Sequence, residues 1–240
     1  MKVELIDNLY PREKYLDKIR GFYHECEIIK VLTGVRRCGK SSIMNLIMKE
    51  LIDSGVSEDN IIYFNLDKKP YSTIETPKEL DEIISKYNTA EGKKYLFIDE
   101  IQNVIGFEKI INAWREERDF SIFITGSNSY LLSGELATKL TGRYIEFNVL
   151  PLSFDEYLEM KKFYGKTLSL DDADELCNYI LEGGFPYVLI LNSMNDKRRY
   201  VQNLINEIFE KDIRKRVKIR NRSVFDAVLK YIINNFGATT

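Results

Sequence analysis

One histidine, one tryptophan, three cysteines and five prolines in 240 residues are few, and each scarcity excludes something. The single histidine, His24, and cysteines at 26, 38 and 177 share no ligand spacing, so a structural zinc site is not expected. An odd number of cysteines gives no disulfide framework and points to a reducing, cytoplasmic setting. Long hydrophobic runs are also missing. The longest, such as Ile61-Ile62-Tyr63-Phe64, are strand-sized, far below the roughly 20 residues a bilayer crossing needs, so no membrane association is expected. Lys2, Glu4, Asp7, Arg12, Glu13, Lys14, Asp17, Lys18 and Arg20 leave no room for the apolar segment of a secretory signal. Charge of one sign is lacking too: 35 basic residues meet 37 acidic ones, and a net charge of −2 gives no general attraction to nucleic acid. What is present is a 44% hydrophobic chain with 13 glycines, a globular composition long enough for one large domain or two small ones. No internal repeat stands out.

Up to residue 150, short apolar runs alternate with helix-length amphipathic stretches. The predicted strands are Ile28–Thr33, Asn60–Leu66, Tyr95–Asp99, Ser121–Thr125 and Tyr144–Val149. Most are near-continuous rather than alternating, as strands buried on both faces of a parallel sheet are. Between them lie predicted helices at Lys40–Ser54, Pro77–Asn88, Gly106–Glu117 and Ser129–Leu140, which right-handed crossovers place on both faces of the sheet. The fold class is α/β, a parallel sheet with helices on both faces followed by a small all-helical part. After Pro151 no strand is expected. Helix-face spacing recurs at Ala173, Leu176, Cys177, Ile180 and Leu181, at Val201, Leu204, Ile205, Ile208 and Phe209, and from Phe225 to Phe236. Gly183-Gly184-Phe185-Pro186 interrupts the helices. The expected organisation is a core over 1–150, a helical lid over 151–215 and, over 216–240, the start of an incomplete further element.

Gly34-Val35-Arg36-Arg37-Cys38-Gly39-Lys40-Ser41 reads G-x-x-x-x-G-K-S between an apolar strand and a helix, with Ser42 following. Glycines allow a tight turn whose backbone N–H groups converge on phosphate oxygens, and the helix N-terminus adds positive potential. Lys40 is placed to reach the β- and γ-phosphates and Ser41 to ligate magnesium. Tyr95-Leu-Phe-Ile-Asp99-Glu100 is an apolar strand ending in two acids, a combination that makes sense where a ligand binds at the carboxyl edge of an open sheet. Asp99 is the candidate magnesium ligand and Glu100 the candidate base that polarises water. An acid beside the metal ligand favours water over another acceptor, hence hydrolysis over phosphotransfer.

Ser121-Ile-Phe-Ile-Thr125-Gly126-Ser127-Asn128 ends a third apolar strand in a polar cluster. Thr125, Ser127 or Asn128 is placed to sense the γ-phosphate or the attacking water, with Ser127 named as a catalytic candidate; capping of the Ser129–Leu140 helix is the simpler use of these serines. Arg143 precedes the fifth strand. It is a candidate finger that neutralises transition-state charge and reports on the γ-phosphate, in trans if subunits assemble, against a surface salt bridge with Glu146 or Glu135.

The segments GVRRCGKSS, YLFIDEIQ, FITGSNSYLL, LTGRYIEFNVLPLSFDEYL and EGGFPYVL resemble, in order and spacing from about residue 10 to 215, a family of prokaryotic AAA-type P-loop ATPases with Walker A and Walker B motifs, which implies a P-loop NTPase parallel sheet. In that family a C-terminal domain with winged-helix and nuclease-like features follows the lid. The resemblance implies ATP and Mg2+ as cofactors, Glu100 as catalytic glutamate and a polar sensor within Thr125–Asn128. It also implies a sheet with the phosphate-loop strand at its centre and the sensor strand beside the Asp99 strand, and an adenine-side role for Tyr10-Pro11-Arg12. The family continues beyond residue 240, so the sequence is expected to be incomplete, with Phe225–Gly237 the first helix of the winged-helix element.

Seven basic residues, Lys211, Arg214, Lys215, Arg216, Lys218, Arg220 and Arg222, stand against Asp212 alone. The stretch 211–222 is a candidate DNA-backbone contact, against a solvated helix face. The functional expectation is a magnesium-dependent ATPase cycling between ATP and ADP and moving its lid, with homo-oligomer formation left open. The rival expectation is a nucleotide-gated interaction switch, DNA-associated or not, that hydrolyses ATP negligibly.

Overall fold

The computed structural model describes residues 5–127, 140, 142–213 and 221–235. Five strands, β1 (Ile29–Gly34), β2 (Ile61–Asn65), β3 (Lys94–Asp99), β4 (Phe120–Ser127) and β5 (Tyr144–Asn148), form one parallel sheet in the order β2-β3-β4-β1-β5. The predicted Ser129–Leu140 helix lies outside the described residues, Leu140 apart. The phosphate-loop strand β1 is one place off the centre of the sheet; the centre is β4, which lies beside β3 as expected.

The near-continuous apolar runs follow from burial on both faces. On β3, Leu96 and Ile98 join Phe64, Ile122 and Ile124 in one core, which α3 (Pro77–Tyr87) and α4 (Phe107–Glu116) close with Leu80, Ile84, Phe107 and Ile111. Tyr95 and Phe97 point the other way, to Leu32 and Phe123, under α1 (Glu13–Arg20) and α2 (Lys40–Asp53), which supply Leu16, Ile19, Ile43 and Ile47. Local chemistry sets several helix starts: Thr76 and Glu79 form a capping box around Pro77, and Ser153 and Glu156 form another at α5 (Phe154–Phe163).

Beyond the sheet the chain is helical, as expected: α5, α6 (Asp172–Glu182), α7 (Met194–Ile208) and α8 (Arg222–Asn234). A small core of Leu152, Tyr157, Met160 and Leu189, with Tyr10 and Tyr179 against it, joins α5 and α6 to the N-terminal segment. Helices α1 and α5 are not foreseen by periodicity. Among the described residues no helix is long and apolar enough to cross a membrane.

Lys30 is an exception inside this core. It is fully buried on β1, donates to the Glu25 carbonyl (2.6 Å) and the Ser121 hydroxyl (2.8 Å), and lies over the Phe123 ring. Burial lowers its pKa from 10.5 to about 7. Below about pH 7 the folded chain carries the buried charge at full cost; between 7 and 10.5 the unfolded chain holds a proton that the folded chain lacks, so stability rises with pH there. Lys30→Met is therefore expected to stabilise the protein by about 1–3 kcal/mol at pH 6.5 and by little at pH 10. Urea unfolding at the two pH values checks this, and a gain that does not shrink with pH would locate its cause elsewhere.

Candidate functional site

All five strands run the same way, so their carboxyl ends share one edge of the sheet. At that edge the chain leaves β1 through the glycine loop and enters α2. Gly34 has φ +151°, and a Cβ there would lie 2.2 Å from the Val149 carbonyl oxygen and 2.7 Å from Cys38 Sγ. Arg37 at φ 64° and Gly39 at φ 108° carry the turn through left-handed backbone, which glycine adopts without steric cost. Lys40 is 4% exposed, and its Nζ donates to the carbonyls of Gly34 (3.0 Å) and Val35 (3.2 Å). Ser41 opens the first turn of α2, where Asn45 donates to its carbonyl (2.9 Å). Val35, Arg36 and Ser42 are half-buried along the same loop, and Arg36 pairs with Asp67 (3.6 Å). Cys38 is fully buried, and burial raises its thiol pKa against the pull of Lys40 and Arg12. A buried neutral thiol offers neither access nor thiolate, so Cys38 is an inert small side chain in the loop.

Asp99 ends β3 with no exposed surface. The Thr125 hydroxyl donates to its Oδ1, and Asn65 Nδ2 (2.9 Å) and the Tyr63 hydroxyl (3.3 Å) donate to its Oδ2. The Glu100 backbone is left-handed, φ 61° and ψ 46°, and its N–H donates to Thr125 Oγ1 (3.0 Å). One threonine thus fixes both acids. A left-handed conformation at a non-glycine residue is uncommon, and it turns the Glu100 side chain off the strand direction. Gln102 Nε2 donates to the Glu100 carboxylate. Burial raises the Glu100 pKa, with Lys40 the chief opposing influence, which makes this carboxylate a stronger base than an exposed one.

Sequence reasoning misses Asn65, Tyr63 and Gln102. The signal was a polar residue closing the apolar β2, whose parallel register sets Asn65 beside Asp99. Of the sensor candidates, the Thr125 side chain is committed to Asp99 and Glu100, while the Ser127 side chain and Asn128 lie outside the described residues. Arg143 is not brought to this site. Because β5 runs parallel to β1 with Tyr144 opposite Ile29, Arg143 stands at the other edge of the sheet, roughly 17 Å away at strand rise. There it is exposed, donates to Asn112 (3.1 Å) and pairs with Glu116 (3.7 Å). The expected partner Glu146 instead accepts from Thr33 (2.6 Å). In the basic stretch, residues 214–220 lie outside the described residues, and Arg222 pairs with Glu210 (2.8 Å) and Asp226 (3.3 Å) over the Phe209 ring.

The loop and acids fit a nucleotide with magnesium. The Gly34 cradle has no space for a Cβ, the buried lysine faces the loop's own carbonyls, and Ser41 and Asp99 offer the hard oxygen donors magnesium prefers. Among the described residues no cluster of three or more His, Cys, Asp or Glu forms another metal site.

Comparison with known proteins agrees with this fold. A family model described as an AAA domain matches residues 27–158, and a domain of unknown function matches 173–240. An uncharacterized protein of Haemophilus influenzae is 35% identical over 227 residues, 94% of this chain and 56% of that one. The uncharacterized protein MJ1544 of Methanocaldococcus jannaschii is 35% identical over 214 residues, 87% of this chain and 47% of that one. The chain spans about half the length of these relatives. Among solved structures, the Walker-type ATPase PABY2304 of Pyrococcus abyssi superposes with a TM-score of 0.59 at 15% identity, over 91% of this chain and 79% of that one. The Aeropyrum pernix ORC1 protein, solved in complex with DNA, gives 0.53 at 16% identity, over 93% and 66%.

Proposed function

We propose that this chain, which belongs to the AAA domain family, is a magnesium-dependent ATPase whose nucleotide state moves the helices following its sheet. The observation that carries the reading is the joint fixation of Asp99 and Glu100 by Thr125 at the sheet edge where the glycine loop opens. A site built only to grip phosphate needs no half-buried second acid with a raised pKa.

The loop amides from Gly34 to Ser42 and Lys40 would hold the phosphates, Lys40 exchanging its carbonyl partners for phosphate oxygens. Ser41 and Asp99 would hold Mg2+, Asp99 through the ion's water shell. The ion supplies charge neutralisation on the phosphates. Glu100 orients a water and takes its proton as the water oxygen bonds to the γ-phosphorus. The bond from that phosphorus to the bridging oxygen breaks, and ADP and phosphate leave. Residues 1–150 form the ATPase core and 151–215 the lid in this reading, with 216–240 beginning a further, winged-helix-like element. Arg143, on the far edge of the sheet, can serve a phosphate site only in a neighbouring copy. The basic stretch 211–222 is the candidate for a DNA contact in this reading.

Phosphate release from ATP by the full chain, with magnesium and with magnesium chelated, tests the proposal beside a direct nucleotide-binding measurement. Magnesium-dependent release is the expected result. Tight ATP binding with no release under either condition would favour the switch, and no binding would overturn both.

A further inference from the structure

We propose that Arg12 is a positioning residue that locks the phosphate loop to the first helix beyond the sheet, so that loop geometry and the docking of that helix change together. Its consequence for nucleotide handling rests on the ATPase reading; the coupling itself does not.

Arg12 is 4% exposed and divides its fork among three separate parts of the chain. Nη1 donates to the carbonyl of Cys38 in the loop (2.9 Å) and to the carbonyl of Leu150, where the chain leaves the sheet (3.0 Å). Nε and Nη2 form a two-pronged pair with Glu156 on α5 (2.8 and 2.9 Å). The guanidinium lies over the Tyr15 ring, 4.5 Å from its centroid, and the Tyr15 hydroxyl accepts the Leu150 N–H (3.1 Å). Both backbone groups of Leu150 are thereby held by residues of the N-terminal segment. Glu156 also holds its own helix, since the same carboxylate accepts the Ser153 N–H (3.0 Å) that starts α5. If α5 swings away, Glu156 leaves with it, and a buried cation remains beside the Cys38 carbonyl. That state is costly, so the loop must rearrange or α5 must stay. Only an arginine spans the three acceptors, because an ammonium lacks the planar fork.

The plainer alternative is that Arg12 merely anchors the N-terminal segment. Arg20 and Glu50 supply the control, since that pair (2.7 Å) ties α1 to α2 without touching the loop. The experiment is hydrogen exchange of the amides of residues 35–41 in the nucleotide-free full chain, for wild type, Arg12→Gln, Arg12→Lys, Glu156→Gln and Glu50→Gln. Glu156→Gln, which changes nothing on the loop itself, is expected to raise exchange at those amides about 10-fold, as is Arg12→Gln, with Glu50→Gln leaving them unchanged. Arg12→Lys is expected to match Arg12→Gln at the loop. Glu156→Asp gives the same reading if the Gln variant does not fold, since its shorter side chain breaks the two-pronged geometry. Unchanged loop exchange in the Glu156 variants, or an equal rise in Glu50→Gln, would overturn the coupling. Titration with a fluorescent ATP analogue then reads the consequence: by linkage, Arg12→Gln and Glu156→Gln should each weaken binding about 10-fold and the double variant no further. Wild type that binds no ATP would sink the ATPase reading while the exchange result still decides the coupling; wild type and variants that bind alike would sink the functional consequence alone.

Discussion

Glu100→Gln is expected to leave ATP bound and to slow phosphate release by about 10²–10³-fold. The amide keeps the size of the side chain and, through its carbonyl oxygen, an acceptor for Gln102, while the Glu100 backbone N–H stays on Thr125. What is lost is a site for the proton of the attacking water. The raised pKa sharpens the test in two ways. A carboxylate that protonates above the ordinary 4.5 stops working as a base sooner as the pH falls, so the acid limb of wild-type turnover should lie above that value and should be missing from the residual rate of the variant. Stability should move the opposite way. An acid whose pKa is raised by partial burial penalises the folded state wherever it is ionised, so the amide should be neutral or stabilising at pH 7. Single-turnover phosphate release at saturating ATP, with nucleotide occupancy measured on the same samples, reads the first effect; urea unfolding reads the second. Undiminished release from Glu100→Gln would remove Glu100 as the base.

The sequence shows this site unevenly, for physical reasons. The glycine loop and the Asp99-Glu100 pair are legible because each is local: a turn that needs glycine, a lysine at fixed offset, and acids closing an apolar run. β1 and β3 are legible because burial on both faces leaves near-continuous apolar runs, interrupted in β1 by Lys30. Helix α5 is not, since its apolar residues Phe154, Tyr157, Leu158, Met160 and Phe163 divide between the small core and an exposed flank. Asn65 acquires a role only through its register with Asp99, 34 positions along the chain. Arg12 is more remote still: its partner Glu156 lies 144 positions away, and no local pattern ties one residue to the other. Arg143 shows the converse. Its position before a strand is plain in the sequence, but in a parallel sheet a strand start lies on the edge away from the phosphate loop, and linear spacing does not reveal which edge a residue joins.

Gly34→Ala should be the most damaging small change in the loop, costing about 2–4 kcal/mol of stability and abolishing ATP binding in whatever fraction stays folded. The new Cβ would stand 2.2 Å from the Val149 carbonyl oxygen and 3.2 Å from its carbon, both backbone, with Cys38 Sγ at 2.7 Å. Val149 cannot retreat cheaply, because its N–H donates to the Thr33 carbonyl (2.7 Å) one residue before the glycine. The Gly34 carbonyl, an acceptor for Lys40, would have to shift as well. Gly142→Ala separates this clash from backbone strain alone. Gly142 sits at φ +71° with nothing within 4 Å of its notional Cβ, so its substitution should cost only about 1 kcal/mol and leave the nucleotide site untouched. Urea unfolding of the two variants beside ATP titration makes the comparison. Equal losses would mean that the close approach of β1 to the chain leaving β5 does not constrain the loop; a loss confined to Gly34→Ala would make that approach the reason the phosphate loop must begin with glycine.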